Sequence, residues 1–263
     1  MSEEKDGVDM RTLPEPPVDR FSGRSEEYAR ARPGYPPGLF DYLFSVRALF
    51  PAAKVTDLGS GTGIFSELLL ERGLTVYAVE PNREMRSQAE ARLGGRPGFV
   101  STAGRAEDTG LADGSMDAAT AAQSFHWFGI EETRRELRRV LRPGAEVIMV
   151  WNEREKDRDE AQRELSRIMD AHALGKEEIN ELRDQTQDRF FINGYHEAHF
   201  HHAKRYDLES LRCLAVSASY MPRPGCEGYG EMLSDLRAFF DRYSIDGAVD
   251  IHYTTNCYHG TLE

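Results

Sequence analysis

Between residues 54 and 151 short apolar runs alternate with stretches of helical periodicity, and this alternation constrains the fold more than any other feature of the chain. The runs lie at 54–58, 74–79, 98–101, 116–121 and 145–151. The clearest stretch between them is 130–141, where Ile130, Leu137, Val140 and Leu141 form one stripe. Arg134, Arg135, Arg138 and Arg139 lie off that stripe and read as a solvated helix face rather than an RNA groove. Arg142-Pro143-Gly144 reads as a sharp helix end. Strands that alternate with helices of a dozen residues are βαβ units, so the expected fold is α/β, with a doubly wound, mostly parallel sheet and helices on both faces.

The flanks extend this core. Residues 1–20 are charged and Pro-rich and are expected to be flexible. A Pro-Gly-Tyr-Pro-Pro turn at 33–37 leads into a helix with Leu39, Tyr42 and Leu43 on one face. After Trp151 a charged helix is expected over 152–172, carrying Ala161, Leu165, Ile168 and Met169 at helical spacing, with further helices at 207–215 and 228–243. Strand-like runs at 197–203 and 250–258 bring the expected sheet to seven strands. The segment 152–245 reads partly as a cap over the carboxyl ends of the strands, where open α/β sheets bind ligands, and 246–263 as a C-terminal strand. Leu262 and Glu263 are assigned no role.

Composition excludes several classes. Hydrophobic residues make up 40% of the 263, enough for a single domain over 21–263 to bury a core. Thirty-three basic against forty-five acidic residues leave a net charge of −12, which argues against nucleic acid or an anionic bilayer as partner. No apolar run approaches the roughly 20 residues of a membrane span, and the first residues lack the basic-then-apolar pattern of a signal peptide. Cys213, Cys226 and Cys257 are widely spaced without a CxxC, so neither a disulfide framework nor a zinc site is indicated and a cytoplasmic location is expected.

The chemistry concentrates in Asp57-Leu58-Gly59-Ser60-Gly61-Thr62-Gly63, where an apolar strand ends and a helix begins. Glycines at 59, 61 and 63 let the backbone turn sharply and approach a ligand. A glycine turn of this kind also serves dinucleotides, but GxGxG lacks the glycine that GxGxxG would place at Ile64. Asp57, two residues before the first glycine, would repel a pyrophosphate and attract an ammonium group. Glu80, in Glu80-Pro81-Asn82, follows the second strand about 20 residues on, where a carboxylate accepts the hydroxyls of a ribose. The two acids ask for a nucleoside that carries an amino-acid moiety.

Those residues, with Asn82-x-x-Met85, Gly104-Arg105-Ala106-Glu107 and Leu141-Arg142-Pro143-Gly144, resemble the class I S-adenosylmethionine-dependent methyltransferases, and most of all their small-molecule branch, methyltransferase type 11. The resemblance covers about residues 21–151. It implies a Rossmann-like fold and S-adenosylmethionine as cofactor. The loop, including Ser60 and Thr62, would hold the methionine part and Glu80 the ribose, while the pair Ala106-Glu107 would line the adenine site. It further implies that Tyr28 and the stretch Arg32-Pro33-Gly34-Tyr35-Pro36 form a lid within residues 21–45. A helix packed on the sheet edge is the plainer alternative for that segment.

The fourth strand runs into Gln123-Ser124-Phe125-His126-Trp127-Phe128, an end that faces cofactor and acceptor in such sheets. His126 is a candidate general base and Trp127 or Phe128 a face for a sulfonium, with His126 as a wall residue the alternative. Asn152, with Trp151 and Arg154, is a second candidate wall. Alternatively it starts the charged helix. The run His196-x-x-His199-x-His201-His202 splits between two faces of a strand and predicts no metal site. The expected activity is methyl transfer to a small molecule. The alternative on the same fold is cyclisation of the cofactor to azetidine-2-carboxylate and methylthioadenosine in a cavity of Tyr28, Gln123, Trp127, Trp151, Asn152 and Tyr220. A regulatory cofactor-binding protein and a nicotinamide dehydrogenase are the remaining rivals. Neither the acceptor nor the oligomeric state can be read from the chain.

Overall fold

The structure is a computed structural model, and it describes residues 32–174, 186–218, 221–222 and 224–262. Tyr28, Tyr220 and the expected flexible segment 1–20 lie outside the described residues.

Seven strands form one sheet: β1 (Lys54–Leu58), β2 (Thr75–Val79), β3 (Phe99–Thr102), β4 (Met116–Ala122), β5 (Leu141–Arg154), β6 (His196–Tyr206) and β7 (Val249–Thr261). Their order is β3-β2-β1-β4-β5-β7-β6. The pairings from β3 through to β5 are parallel, and β7 runs antiparallel to both neighbours. The expected doubly wound α/β sheet is the fold observed. Its strand order reverses between β1 and β4, the switch point beside which sheets of this type bind ligands.

Helices cover both faces. On one lie α1 (Pro37–Ser45), α2 (Ile64–Leu70) and α3 (Arg83–Leu93). Pro37 opens α1, where a missing N–H costs nothing, and Asn82 caps α3 by accepting from the Met85 backbone at 3.0 Å. Leu39, Leu43, Phe65, Leu69 and Leu93 pack there on Val55, Ile148 and Val150. The other face buries Leu137 and Val140 of α4 (Ile130–Val140) and Phe190 of α6 (Thr186–Phe190) against Leu58, Ala119, Met149 and Trp151. A third cluster joins α5 (Glu160–Ala171), α7 (Leu208–Ser217) and α8 (Tyr229–Tyr243) to Tyr206, Val249, Ile251 and Tyr253.

Three expectations are corrected and one is kept. The chain stays extended through Arg154, because Asn152 and Arg154 pair with Thr255 and Tyr253 of β7, and the helix starts only at Glu160 behind the Asp159 cap. The expected helix stop holds, since α4 ends at Val140 with Leu141 as its cap, and Arg142-Pro143-Gly144 continues directly into β5. The basic stripe is solvated at Arg135, Arg138 and Arg139 but not at Arg134. Arg134 is 5% exposed and donates to the carbonyls of Arg189 and Phe190, while Arg139 holds buried Glu136. Leu262 is buried in the α4–α6 core, and its carbonyl accepts from Arg138.

Candidate active site

The glycine loop leaves β1 at the switch point. Gly59, Gly61 and Gly63 adopt φ of +61°, +56° and +79°, backbone that L side chains avoid. At Gly59 space forbids a side chain as well, since a Cβ would sit 2.7 Å from the Ser124 Cβ and 3.2 Å from the Phe128 ring. Gly61 faces open space, and a Cβ there would have nothing within 4 Å. An open cleft lies over this loop. Asp57, Ser60, Gly61 and Thr62 form its floor. Ile64, Phe65, Pro33 and Tyr35 give an apolar side, and Gln123, Asn152 and Arg32 a polar one.

Asp57 is 1% exposed, and its two carboxylate oxygens accept from Ser66 Oγ at 2.6 Å and Thr120 Oγ1 at 2.9 Å. Burial outweighs these bonds and pushes its pKa up to about 6. Neither Ser66 nor Thr120 was singled out by the sequence. Thr120 is Asp57's register partner on β4, and Ser66 lies on the inward face of α2. Glu80 is also buried. Its Oε2 accepts from the Gly61 N–H at 2.9 Å and Oε1 from the Asn82 N–H at 2.8 Å. Burial raises its pKa, against the pull of those N–H groups and of Arg86. A carboxylate offers about four acceptor positions, so Glu80 keeps about two for a ligand and Asp57, which also accepts from the Ser66 backbone N–H, about one.

The remaining predicted residues divide. Gln123 lies on the cleft wall with φ +61°, uncommon outside glycine, and its amide donates to the Asn152 carbonyl at 3.3 Å. Asn152 ties three elements together. It donates to the Gly34 carbonyl at 3.1 Å and accepts from Thr255 at 2.5 Å, while His202 Nε2 lies at 3.4 Å. Arg32 is held by its carbonyl, which accepts from Lys204 Nζ at 2.9 Å. Ser124 bonds the Leu58 carbonyl under the loop. Phe125 is wholly buried between Phe128 and Phe190, and His126 and Trp127 share a 3-10 turn with their rings 4.7 Å apart. Pro81 and Asn82 start α3 and Met85 is buried in its first turn. Ala106 is buried in the core, and Glu107 accepts from the Gly129 N–H that opens α4.

The histidine run splits as the strand period requires. His199 meets Asn256 and His201 meets Glu155, whereas His196 packs beside His259 and His202 stacks on Tyr253. Among the described residues no group of three or more His, Cys, Asp or Glu is placed to hold a metal.

The strand order, the glycine cleft at the switch point and the acids ending β1 and following β2 have the arrangement of class I S-adenosylmethionine-dependent methyltransferase domains. Comparison with known proteins agrees. Residues 56–149 match the methyltransferase domain family described by that name. An uncharacterised methyltransferase of Mycobacterium tuberculosis is 42% identical over 135 residues, 51% of this chain and 53% of the relative. The match thus spans about half the length of that curated relative. One of Schizosaccharomyces pombe is 26% identical over 211 residues, 80% of this chain and 82% of its own. A solved protein of Anaeromyxobacter dehalogenans, provisionally described as a type II methyltransferase, superposes with a TM-score of 0.64 at 25% identity, covering 88% of this chain and 98% of that one.

Proposed function

We propose that the protein moves the methyl group of S-adenosylmethionine onto a small-molecule acceptor by in-line displacement. The observation that carries the reading is the glycine loop strung between two buried carboxylates: Asp57 beneath it, and Glu80 bonded to the Gly61 N–H. The acceptor positions left on Asp57 and Glu80 suit an ammonium group at one end and a ribose diol at the other. The open space at Gly61 lets a ligand lie against the backbone, so the residues present fit this cofactor.

When bound, S-adenosylmethionine supplies an electrophilic methyl on a sulfonium that leaves readily. The chain has to bind, orient and keep out water. Asp57 anchors the amino-acid end and Glu80 the ribose, which sets the position along the cleft. Tyr35, packed edge-on to Phe65 at 4.8 Å, walls the cleft on its apolar side. Gln123 and Asn152 line the opposite side, toward the acceptor. Correct alignment of this kind lowers a barrier by as much as about 7–11 kcal/mol, so no general base is required. Where the acceptor loses a proton, His126 is the residue we assign to receive it. We place Ala106 and Glu107 at the adenine end and the protein in the reducing cytoplasm, and assign it no nucleic-acid partner. No helix of the described residues is long and apolar enough to cross a membrane.

The test is product analysis with the full chain and labelled cofactor. S-adenosylhomocysteine released only when an acceptor is added supports methyl transfer. Methylthioadenosine formed without acceptor would replace it by cyclisation. Calorimetric binding of NAD with none of S-adenosylhomocysteine would overturn the cofactor itself.

A further inference from the structure

Residues paired directly across a sheet share a face. On the α1–α3 side of β5, β7 and β6, Ile148, Val150 and Cys257 are apolar and buried beneath α1. Farther along the same face, Val249, Ile251 and Tyr206 are buried beneath α5, α7 and α8. Between these apolar layers runs a polar strip. Asn152 pairs with Thr255, Arg154 with Tyr253, Tyr253 with His202, and Ile251 with Lys204.

The strip begins at the cofactor cleft and leads away from it. Asn152 and Arg32 belong to the cleft wall, and Lys204 Nζ reaches the Arg32 carbonyl at 2.9 Å while lying 5.0 Å from the Tyr206 ring. At its floor the Tyr206 and Tyr253 hydroxyls are 2.9 Å apart and buried. Burial raises the pKa of both phenols and keeps them neutral, a rise that the nearby charges of Arg32 and Arg154 only partly oppose, and burial lowers the pKa of the Lys204 ammonium. Half-burying guanidinium and ammonium groups between two apolar layers costs hydration, a cost that an anion bound among them offsets.

We propose that this strip is the acceptor subsite and that it takes a small molecule bearing an oxyanion, carboxylate or phosphate, held by Arg154, Lys204 and Arg32. The inference rests on the methyl-transfer reading for its role and on the strip's own chemistry for its ligand. Bound there, the anion fixes one end of the acceptor and leaves the other directed along Asn152 into the cleft.

The experiment is titration calorimetry on the full chain, with and without saturating S-adenosylhomocysteine. The ligands are succinate and citrate, glycerol phosphate and glucose phosphate, and the neutral counterparts succinamide and glycerol. At least one acid should bind and its neutral counterpart should not, with the carboxylate or phosphate arm identifying the group. Arg154→Gln and Lys204→Gln should each weaken that acid by about tenfold or more, and Arg154→Lys by less, because the lost term is charge. Affinity for S-adenosylhomocysteine, which reports folding, should stay within about twofold in both Arg154 variants and fall by no more than about threefold in Lys204→Gln, which also loses the bond to the Arg32 carbonyl. Equal binding of acids and neutral compounds, binding of no acid, or unchanged affinity in both Gln variants would overturn the proposal. Failure of the unmodified chain to bind S-adenosylhomocysteine would instead overturn the methyl-transfer reading, with the strip still judged by the acid titrations made without it.

Discussion

The two halves of the sheet are built by different means. In the parallel half, β3-β2-β1-β4, the site comes from neighbours in the chain. Gly61 bonds Glu80 across 19 residues, Ser66 bonds Asp57 across 9, and Asn82 caps a helix three residues on. In the half built around antiparallel β7, the site comes from remote partners. Asn152 bonds Gly34 across 118 residues, Lys204 bonds Arg32 across 172, and His259 bonds Tyr42 across 217. The first arrangement suits a part that every relative using the same cofactor must reproduce. The second suits a part free to vary with the acceptor, since its contacts depend on register and not on a contiguous motif.

That contrast can be broken most sharply at Gly59. Gly59→Val should abolish S-adenosylhomocysteine binding, by about a hundredfold or more in calorimetry, because a positive φ and a 2.7 Å approach to Ser124 leave no room for a side chain. Binding retained within a few-fold would mean that the loop does not approach the cofactor.

Asp57→Asn should cost about tenfold in affinity, through loss of the charge facing the ammonium group. It should also change the pH profile of stability. A folded carboxyl at about 6, against 3.8 ordinarily, binds its proton more tightly than the unfolded chain does. Its stabilising contribution is therefore complete below about pH 4 and is lost as pH rises through 6, on the order of 3 kcal/mol in all. Urea unfolding between pH 4 and 7 should show this slope in the unmodified protein and lack it in the variant. A cofactor ammonium favours the ionised form, so binding near pH 6 should release a proton, read from calorimetry in buffers of different ionisation enthalpy.

Asn152→Ala tests the remote half. It frees the Gly34 carbonyl and the Thr255 hydroxyl, so stability should fall by about 1–2 kcal/mol, and S-adenosylhomocysteine affinity by about threefold as the 32–36 wall loosens. A fall as large as that of Asp57→Asn would show that the remote half also determines cofactor affinity. The smallest effect is expected for Gly144→Ala, at a glycine of β5 that does not line the cleft. Strain from its φ of +73° should cost about 1 kcal/mol in thermal unfolding, with affinity changed less than about twofold, because nothing lies within 4 Å of the added methyl.

Legibility in the sequence followed the same division. The strands, the glycine loop and the two acids could be read because each is a short contiguous pattern whose backbone demands are local. The helix expected from residue 152 failed for the complementary reason. Its charged run has helical spacing, but the ladder to β7 holds Asn152 through Arg154 extended, and a helix forms only once that pairing ends. Arg134 of the arginine stripe misled in the same way, since nothing local indicates that it will meet the open carbonyls at the end of α6. Ser66 and Thr120 were unmarked because a serine in a helix and a threonine in a strand are ordinary until Asp57 is placed between them.

By itself the chain of residues determined the strand-and-helix alternation and the glycine-loop end of the cleft, since the motifs that define them are contiguous, although Thr120 and Ser124 join that end from more than sixty residues away. Gln123, Asn152 and Arg32 were candidates already, but only the tertiary structure decided what holds Asn152 and Arg32 in the opposite wall, namely Gly34, Thr255 and Lys204. Those groups lie more than a hundred positions apart and meet through the register of β7 between β5 and β6, a pairing with no local sequence pattern to announce it.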